Sequence, residues 1–218
     1  MNGTPSLSAF DDFRIISGGD LPETAVTLCA ILRNEMYFLE AFLAHYRRLG
    51  IERFVLLNDR SDDGSRALLM AQPDVTLVES GWHYGDEVTL SGRLAQAIPS
   101  GRILYIWRGL LQQIFAPGRW AVQVDLDEFV TLPPERSFAD IFTDLGTAPF
   151  HTVWGGMLDV YPADFADLMA RRAMPRIDLD APWYFDAEPH LRLRPEIGEI
   201  GRVDIEHPPP DRMEGRRS

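Results

Sequence analysis

Three acidic residues, Asp125, Asp127 and Glu128, fall within four positions directly behind the mostly apolar run Trp120-Ala121-Val122-Gln123-Val124. Carboxylates this crowded repel one another unless a cation or hydrogen-bond donors compensate them. Asp125 and Asp127 are one residue apart, so extended backbone puts both side chains on one face, where they can serve a single ion directly or through water. Oxygen ligands of this kind suit hard Mn²⁺ or Mg²⁺, which keep coordination positions for water and phosphate oxygens. Such an ion neutralises a diphosphate and so stabilises a leaving group that departs with negative charge. The competing reading is a solvated acidic turn.

Other residues could join this chemistry. Asn58-Asp59 closes a second apolar run, and a carboxylate there can accept hydrogen bonds from a ribose or a base edge. An Asx-turn or a helix cap accounts for the same residues, and Ser61 and Asp62 also satisfy that reading. Arg33 ends the first apolar run, where it can meet a phosphate or make a surface ion pair. Arg93, Arg102 and Arg108 flank the central region and read as exposed charge, although any one could pair with a diphosphate. None of the five histidines has metalloprotease or zinc-finger spacing. His45 reads as a packing residue on a helix, while His190 and His207, in the weakly structured end, are only weak candidates for an additional metal ligand. No GxSxG, P-loop or GxGxxG pattern occurs, which leaves a serine hydrolase, a P-loop NTPase or a dinucleotide dehydrogenase without support.

The elements that must position these residues follow from periodicity. Ala25 to Leu32 is an apolar run without alternation, as expected of a central parallel strand covered on both faces. A helix should begin at Arg33-Asn34-Glu35, with Asn34 as its cap, Glu35 at the positive end of its dipole, and Leu39, Phe42, Leu43 and Tyr46 on its apolar face. Gly50 should stop it in a left-handed conformation. Phe54 to Leu57 is a second strand, so strand, helix and strand make a right-handed βαβ unit. Ser61 or Asp62 is expected to cap a short helix through Leu69, and Val75 to Glu79 is a third strand. Residues 80–100 read as an irregular loop, and Ile103 to Phe115 as a helix ended by Pro117-Gly118. The acidic motif then follows a buried strand, at the edge where open α/β sheets bind ligands. Ser137 caps a helix through Leu145, and Phe150 to Trp154 looks like a further strand that Gly155-Gly156 joins to Met157 through Pro162.

Composition bounds the remainder. With 218 residues, 45% of them hydrophobic, the chain can bury a sizeable core. We expect a leader of little structure over 1–23, one α/β domain over 24–187 and a Pro-rich tail over 188–218. A formal charge of −12 argues against non-specific nucleic-acid binding, which needs a basic footprint. Every basic side chain besides histidine is Arg. The single cysteine, Cys29, cannot form an internal disulfide and reads as a small buried residue in a reducing compartment. No apolar stretch reaches the length of a membrane span. A cytoplasmic protein is the expectation, with peripheral membrane association left open.

These motifs occur together in an order that resembles family 2-like glycosyltransferases, and more narrowly the branch akin to glycosyltransferase family 92. The resemblance rests on Val26 through Glu35 with Leu39 to Tyr46 and Leu49-Gly50-Ile51, on the Asn58-Asp59-Arg60-Ser61-Asp62-Asp63-Gly64 turn, and on Trp120 through Phe129. Met157 to Pro162 completes it, so the similarity spans about Ala25 to Pro162. In the Asn58-Asp59 turn the first two residues are swapped relative to the pattern. The resemblance implies a GT-A-like three-layer α/β sandwich, with a mostly parallel nucleotide-binding sheet flanked by helices. It implies that Arg33, Asn34, Glu35, Asp59 and Asp125 face a nucleotide-sugar donor, and that Asp125 and Asp127 hold Mn²⁺ or Mg²⁺ on its diphosphate. A glycan or polysaccharide hydroxyl would be the acceptor, and transfer would be inverting. An inverting enzyme needs a carboxylate to deprotonate that hydroxyl. Asp159, Glu128 and Asp186 are the candidates, Asp159 being preferred because the Gly-Gly joint precedes it. The stretch after Leu193 departs from the pattern and leaves a non-catalytic nucleotide- or metal-binding module as the alternative.

Overall fold

The computed structural model describes residues 6–7, 13–19, 21–90, 100–146, 153, 157–185, 191–194 and 202–205. The chain divides into two compact units, one of residues 1–151 with 174–178 and one of residues 152–173 with 179–218.

The first unit is built on a five-stranded sheet. Strands β3 (Thr27–Leu32), β4 (Arg53–Asn58), β5 (Val75–Glu79) and β8 (Ala121–Gln123) run parallel, and β2 (Arg14–Ser17) closes one edge antiparallel to β5, giving the order β2-β5-β4-β3-β8. This is an α/β architecture with a mostly parallel sheet. The stretch expected to be a weakly structured leader thus supplies an edge strand. The loop expected over 80–100 holds a further strand, β6 (Glu87–Leu90), paired with β1 (Ser6–Leu7) and β7 (Ser100–Arg102) in a small separate sheet.

Alternation along the central strands sends side chains to two cores. Leu28, Ala30 and Leu32 of β3, with Leu56 of β4, pack with Leu39, Phe42, Leu43 and Tyr46 of α1 (Met36–Arg48). Leu69 of α2 (Ser65–Met70) and Phe138 of α4 (Phe138–Leu145) join the same cluster. Cys29, Val55 and Leu57 point the other way, against Ile106, Trp107, Leu110 and Leu111 of α3 (Ile103–Phe115). Helices therefore cover both faces, which is why these strands are apolar without alternation. Each such fully buried side chain contributes about 1.5–3 kcal/mol. Burial pushes the Cys29 thiol up to about 12, so it stays protonated as a packing residue.

The second unit holds α5 (Phe165–Arg172), begun by Asp164, whose side chain accepts the Asp167 N–H at 2.9 Å. Arg171 pairs with Asp167 on that helix and lies 4.5 Å over the Trp183 ring. Tyr161 and Tyr184 exchange backbone hydrogen bonds, both 2.9 Å. Strands β9 (Leu191–Arg194) and β10 (Arg202–Ile205) form an antiparallel ribbon within the stretch read as a tail without secure elements. The expected strand over 150–154 and the Gly155-Gly156 joint lie outside the described residues, apart from the exposed Val153.

Candidate active site

Because β3, β4, β5 and β8 are parallel, their carboxyl ends share one edge, and the four turns that follow them carry most of the residues with chemistry. The turns after β3 and β4 are stitched together. The Asn34 N–H donates to Ser61 Oγ at 3.0 Å, and the Asp62 N–H donates to Asn34 Oδ1 at 2.9 Å. Asn34 has φ +57°, as does Arg60, a left-handed conformation that Asn adopts more readily than most residues. Asn34 is therefore a turn residue and not the expected cap of α1. Glu35 occupies the cap position but makes no side-chain capping bond. Asp63 caps instead: its Oδ2 accepts the Met36 N–H at 2.8 Å and its Oδ1 accepts the Ser65 N–H at 3.0 Å. Neither Ser61 nor Asp62 caps α2, whose cap position is Gly64 at φ +97°. Burial raises the Asp63 carboxyl, but the contacts with Ser65, whose N–H it accepts, and the Met36 N–H outweigh it and hold it below its usual value.

Asp59 follows β4 and is 2% exposed. Its Oδ2 accepts from His83 Nδ1 and from the Tyr84 N–H at 3.2 Å, while its Oδ1 is buried without a hydrogen-bond partner. His83 and Tyr84 belong to the turn after β5, which is closed by the His83 N–H on Asp86 Oδ2 at 2.8 Å and the Asp86 N–H on the His83 carbonyl at 2.7 Å. Arg33, at the end of β3, reaches His83 Nε2 and lies 5.8 Å over the Tyr84 ring. Reading the sequence missed His83 and Tyr84; the only trace was a Trp-His-Tyr cluster just past the third strand.

The acidic motif follows β8. The Glu128 N–H donates to the Asp125 carbonyl at 3.1 Å, and Glu128 Oε2 accepts the Asp125 N–H at 2.8 Å, so the carboxylate of Glu128 closes its own turn. Tyr46 of α1 donates its hydroxyl to the Glu128 carbonyl at 2.8 Å and accepts the Val130 N–H at 3.2 Å. His45 contacts the Val130 carbonyl at 2.9 Å and is the packing residue its helical position suggested. Arg108 of α3, read as exposed charge, donates to both carboxylate oxygens of Asp125 at 2.6 and 2.7 Å. Arg102 is exposed, and Arg93, His190 and His207 lie outside the described residues.

Asp127 is exposed. Burial pushes the Glu35 carboxyl above its usual value, and the negative charges of Asp127, Asp63 and Asp125 push it the same way. The β3, β4 and β8 turns thus converge on one negative region. Among the described residues, no three His, Cys, Asp or Glu side chains are grouped closely enough to hold a metal ion by themselves. A hard cation that takes one or two carboxylates, phosphate oxygens and water fits this sparser set. Asp159 is exposed and belongs to the second unit; Asp186 lies outside the described residues. Among the described residues, no helix is long and apolar enough to cross a membrane.

No family model matches the chain, and no solved structure matches it. A curated protein of Oryza sativa subsp. japonica, described as a glycosyltransferase family 92 protein, is 22% identical to it over 129 residues. That similarity covers 57% of this chain, which spans less than a fifth, 19%, of the Oryza protein's length. The similarity is partial, and it points to a glycosyltransferase-like relationship.

Proposed function

We propose that the chain is a metal-dependent glycosyltransferase of GT-A-like fold, which moves a sugar from a nucleotide-sugar donor to a glycan or polysaccharide hydroxyl with inversion. The observation that carries this reading is the convergence of Arg33, Glu35, Asp59, Asp125 and Asp127 on one carboxyl edge of a mostly parallel sheet. The similarity to the Oryza family 92 protein supports the same class.

In this reading the buried Asp59 accepts a hydrogen bond from the nucleoside, for which its unpartnered Oδ1 is available. Asp127 and Asp125 would hold Mn²⁺ or Mg²⁺, which when bound supplies positive charge to the departing diphosphate. Arg33 lies at the same edge and can donate to a phosphate oxygen. The tie between Asp125 and Arg108 orients that carboxylate, and Tyr46 holds the following turn against α1. Asp159, Glu128 and Asp186 are the candidates for the base toward the acceptor hydroxyl, Asp159 being preferred from the sequence; Glu128 Oε2 also accepts the Asp125 N–H.

A screen of nucleotide sugars for Mn²⁺-dependent release of nucleoside diphosphate tests the activity. Hydrolysis of at least one donor, abolished in Asp127→Ala, is expected. No release from any donor by the folded protein with Mn²⁺ or Mg²⁺ contradicts it.

A further inference from the structure

His83 stands between an acidic and a basic partner, and the chemistry of those partners decides how it is protonated along its ring. A carboxylate only accepts, so the nitrogen facing Asp59, Nδ1, carries the hydrogen; a guanidinium only donates, so the nitrogen facing Arg33, Nε2, offers its lone pair. Both contacts are satisfied by a single tautomer. Two further donors lie near Nδ1, the Tyr84 N–H at 3.1 Å and the Arg33 guanidinium at 3.2 Å. The Tyr84 N–H is shared with Asp59 Oδ2 at 3.2 Å and the guanidinium sits nearer Nε2, so the Asp59 carboxylate, which cannot donate, decides the tautomer. The Tyr84 ring meets His83 edge-on at 4.5 Å between centroids, and the Asp86 carboxylate is occupied with the His83 backbone N–H.

The need for such a contact comes from Asp59. A carboxylate 2% exposed is costly unless hydrogen-bonded, and here one oxygen receives both of its bonds while the other receives none. His83 supplies the only side-chain donor to Asp59 among the described residues. Without it the carboxylate would keep one backbone N–H and would be free to rotate, which spoils the aim of Oδ1 as an acceptor.

We propose that His83 is a positioning residue of the donor site, its Nδ1–H fixing the Asp59 carboxylate and its Nε2 holding Arg33 at the same edge. The proposal rests on the reading of Asp59 and Arg33 as nucleotide-facing groups. The imidazole serves as a spacer that couples an acidic and a basic ligand contact across three βα turns, and its two partners should act as one unit in binding.

Two measurements on the full chain test it. Long-range ¹H–¹⁵N spectra of the ligand-free protein, with His83→Asn identifying the signal, should show His83 as the Nδ1–H tautomer, a preference lost in Asp59→Asn. Titration with UDP, GDP, ADP and CDP in Mn²⁺ should then show that His83→Phe, which keeps ring volume without either hydrogen bond, weakens the best of these about tenfold. His83→Asn, whose amide can donate from the Nδ1 position, should stay within about threefold of the parent, the scale of a neutral substitute for the bond. A merely structural role would lower thermal stability in both variants alike and leave the tautomer unspecified. Nucleotide binding by the wild type together with an Nε2–H tautomer, or equal affinity in His83→Phe, overturns the positioning role alone. An Nδ1–H tautomer in a protein that binds none of the four nucleotides overturns the donor-site reading and the role assigned within it.

Discussion

The Asp63 carboxylate accepts the Met36 N–H at 2.8 Å, so the helix that follows the first central strand is capped by the turn that follows the second. The same carboxylate takes the Ser65 N–H at 3.0 Å. One side chain therefore starts two helices and ties two turns of the candidate site together. Asp63→Ala is expected to cost about 1–3 kcal/mol, the scale of losing two helix-start hydrogen bonds, and Asp63→Asn less because one acceptor remains. Urea denaturation at neutral pH checks it.

The pH dependence of that loss has a definite sign. The folded Asp63 carboxyl lies below its usual value, so between that lower value and about 4 the unfolded chain binds the extra proton. The stability it contributes is complete above about pH 4 and disappears as pH falls through the folded value. The gap between wild type and Asp63→Ala should narrow correspondingly on acidification.

Glu35 has the opposite sign. Burial and the charges of Asp127, Asp63 and Asp125 raise its folded value, so above the ordinary glutamate range its ionised form is a liability. Glu35→Gln should stabilise the metal-free protein at neutral pH by a few tenths to about 1 kcal/mol, as expected for relief of surface repulsion. Saturating Mn²⁺ should shrink that advantage, because the ion neutralises the same region. Thermal unfolding with and without the ion measures both effects.

Tyr46→Phe removes the hydroxyl that bridges the Glu128 carbonyl and the Val130 N–H. The buried ring packs as before, so the cost should be about 1–3 kcal/mol for the unsatisfied backbone groups. The turn bearing Asp125 and Asp127 loses a tether, and Mn²⁺ affinity should fall severalfold while the far-UV circular dichroism is unchanged.

Much of the frame was legible because its signals are local. The helix over Ile103–Phe115 and the strand over Val75–Glu79 appear at the residues that periodicity assigns, and Ser137 caps α4 with Asp140 completing a capping box. Gly50 has φ +85°, as a helix stop requires. The parts that were not legible depend on partners distant in sequence. Asn34 was the natural cap by residue type, yet its left-handed backbone hands that role to Asp63, 27 residues from Met36. Arg108 looked like exposed charge until α3 brought it to Asp125, and His83 meets Asp59 across 24 residues of chain. Strand β6 escaped notice because it is short and pairs outside the central sheet.

The central claim is that Asp127 helps hold a divalent ion against a nucleoside diphosphate. Isothermal calorimetry with UDP, GDP, ADP and CDP, with and without Mn²⁺, on wild type and Asp127→Ala tests it most directly. The expected result is binding of at least one nucleotide that requires Mn²⁺ and weakens tenfold or more, about 1.4 kcal/mol, in Asp127→Ala. Nucleotide binding that is indifferent to the ion and to the substitution contradicts it.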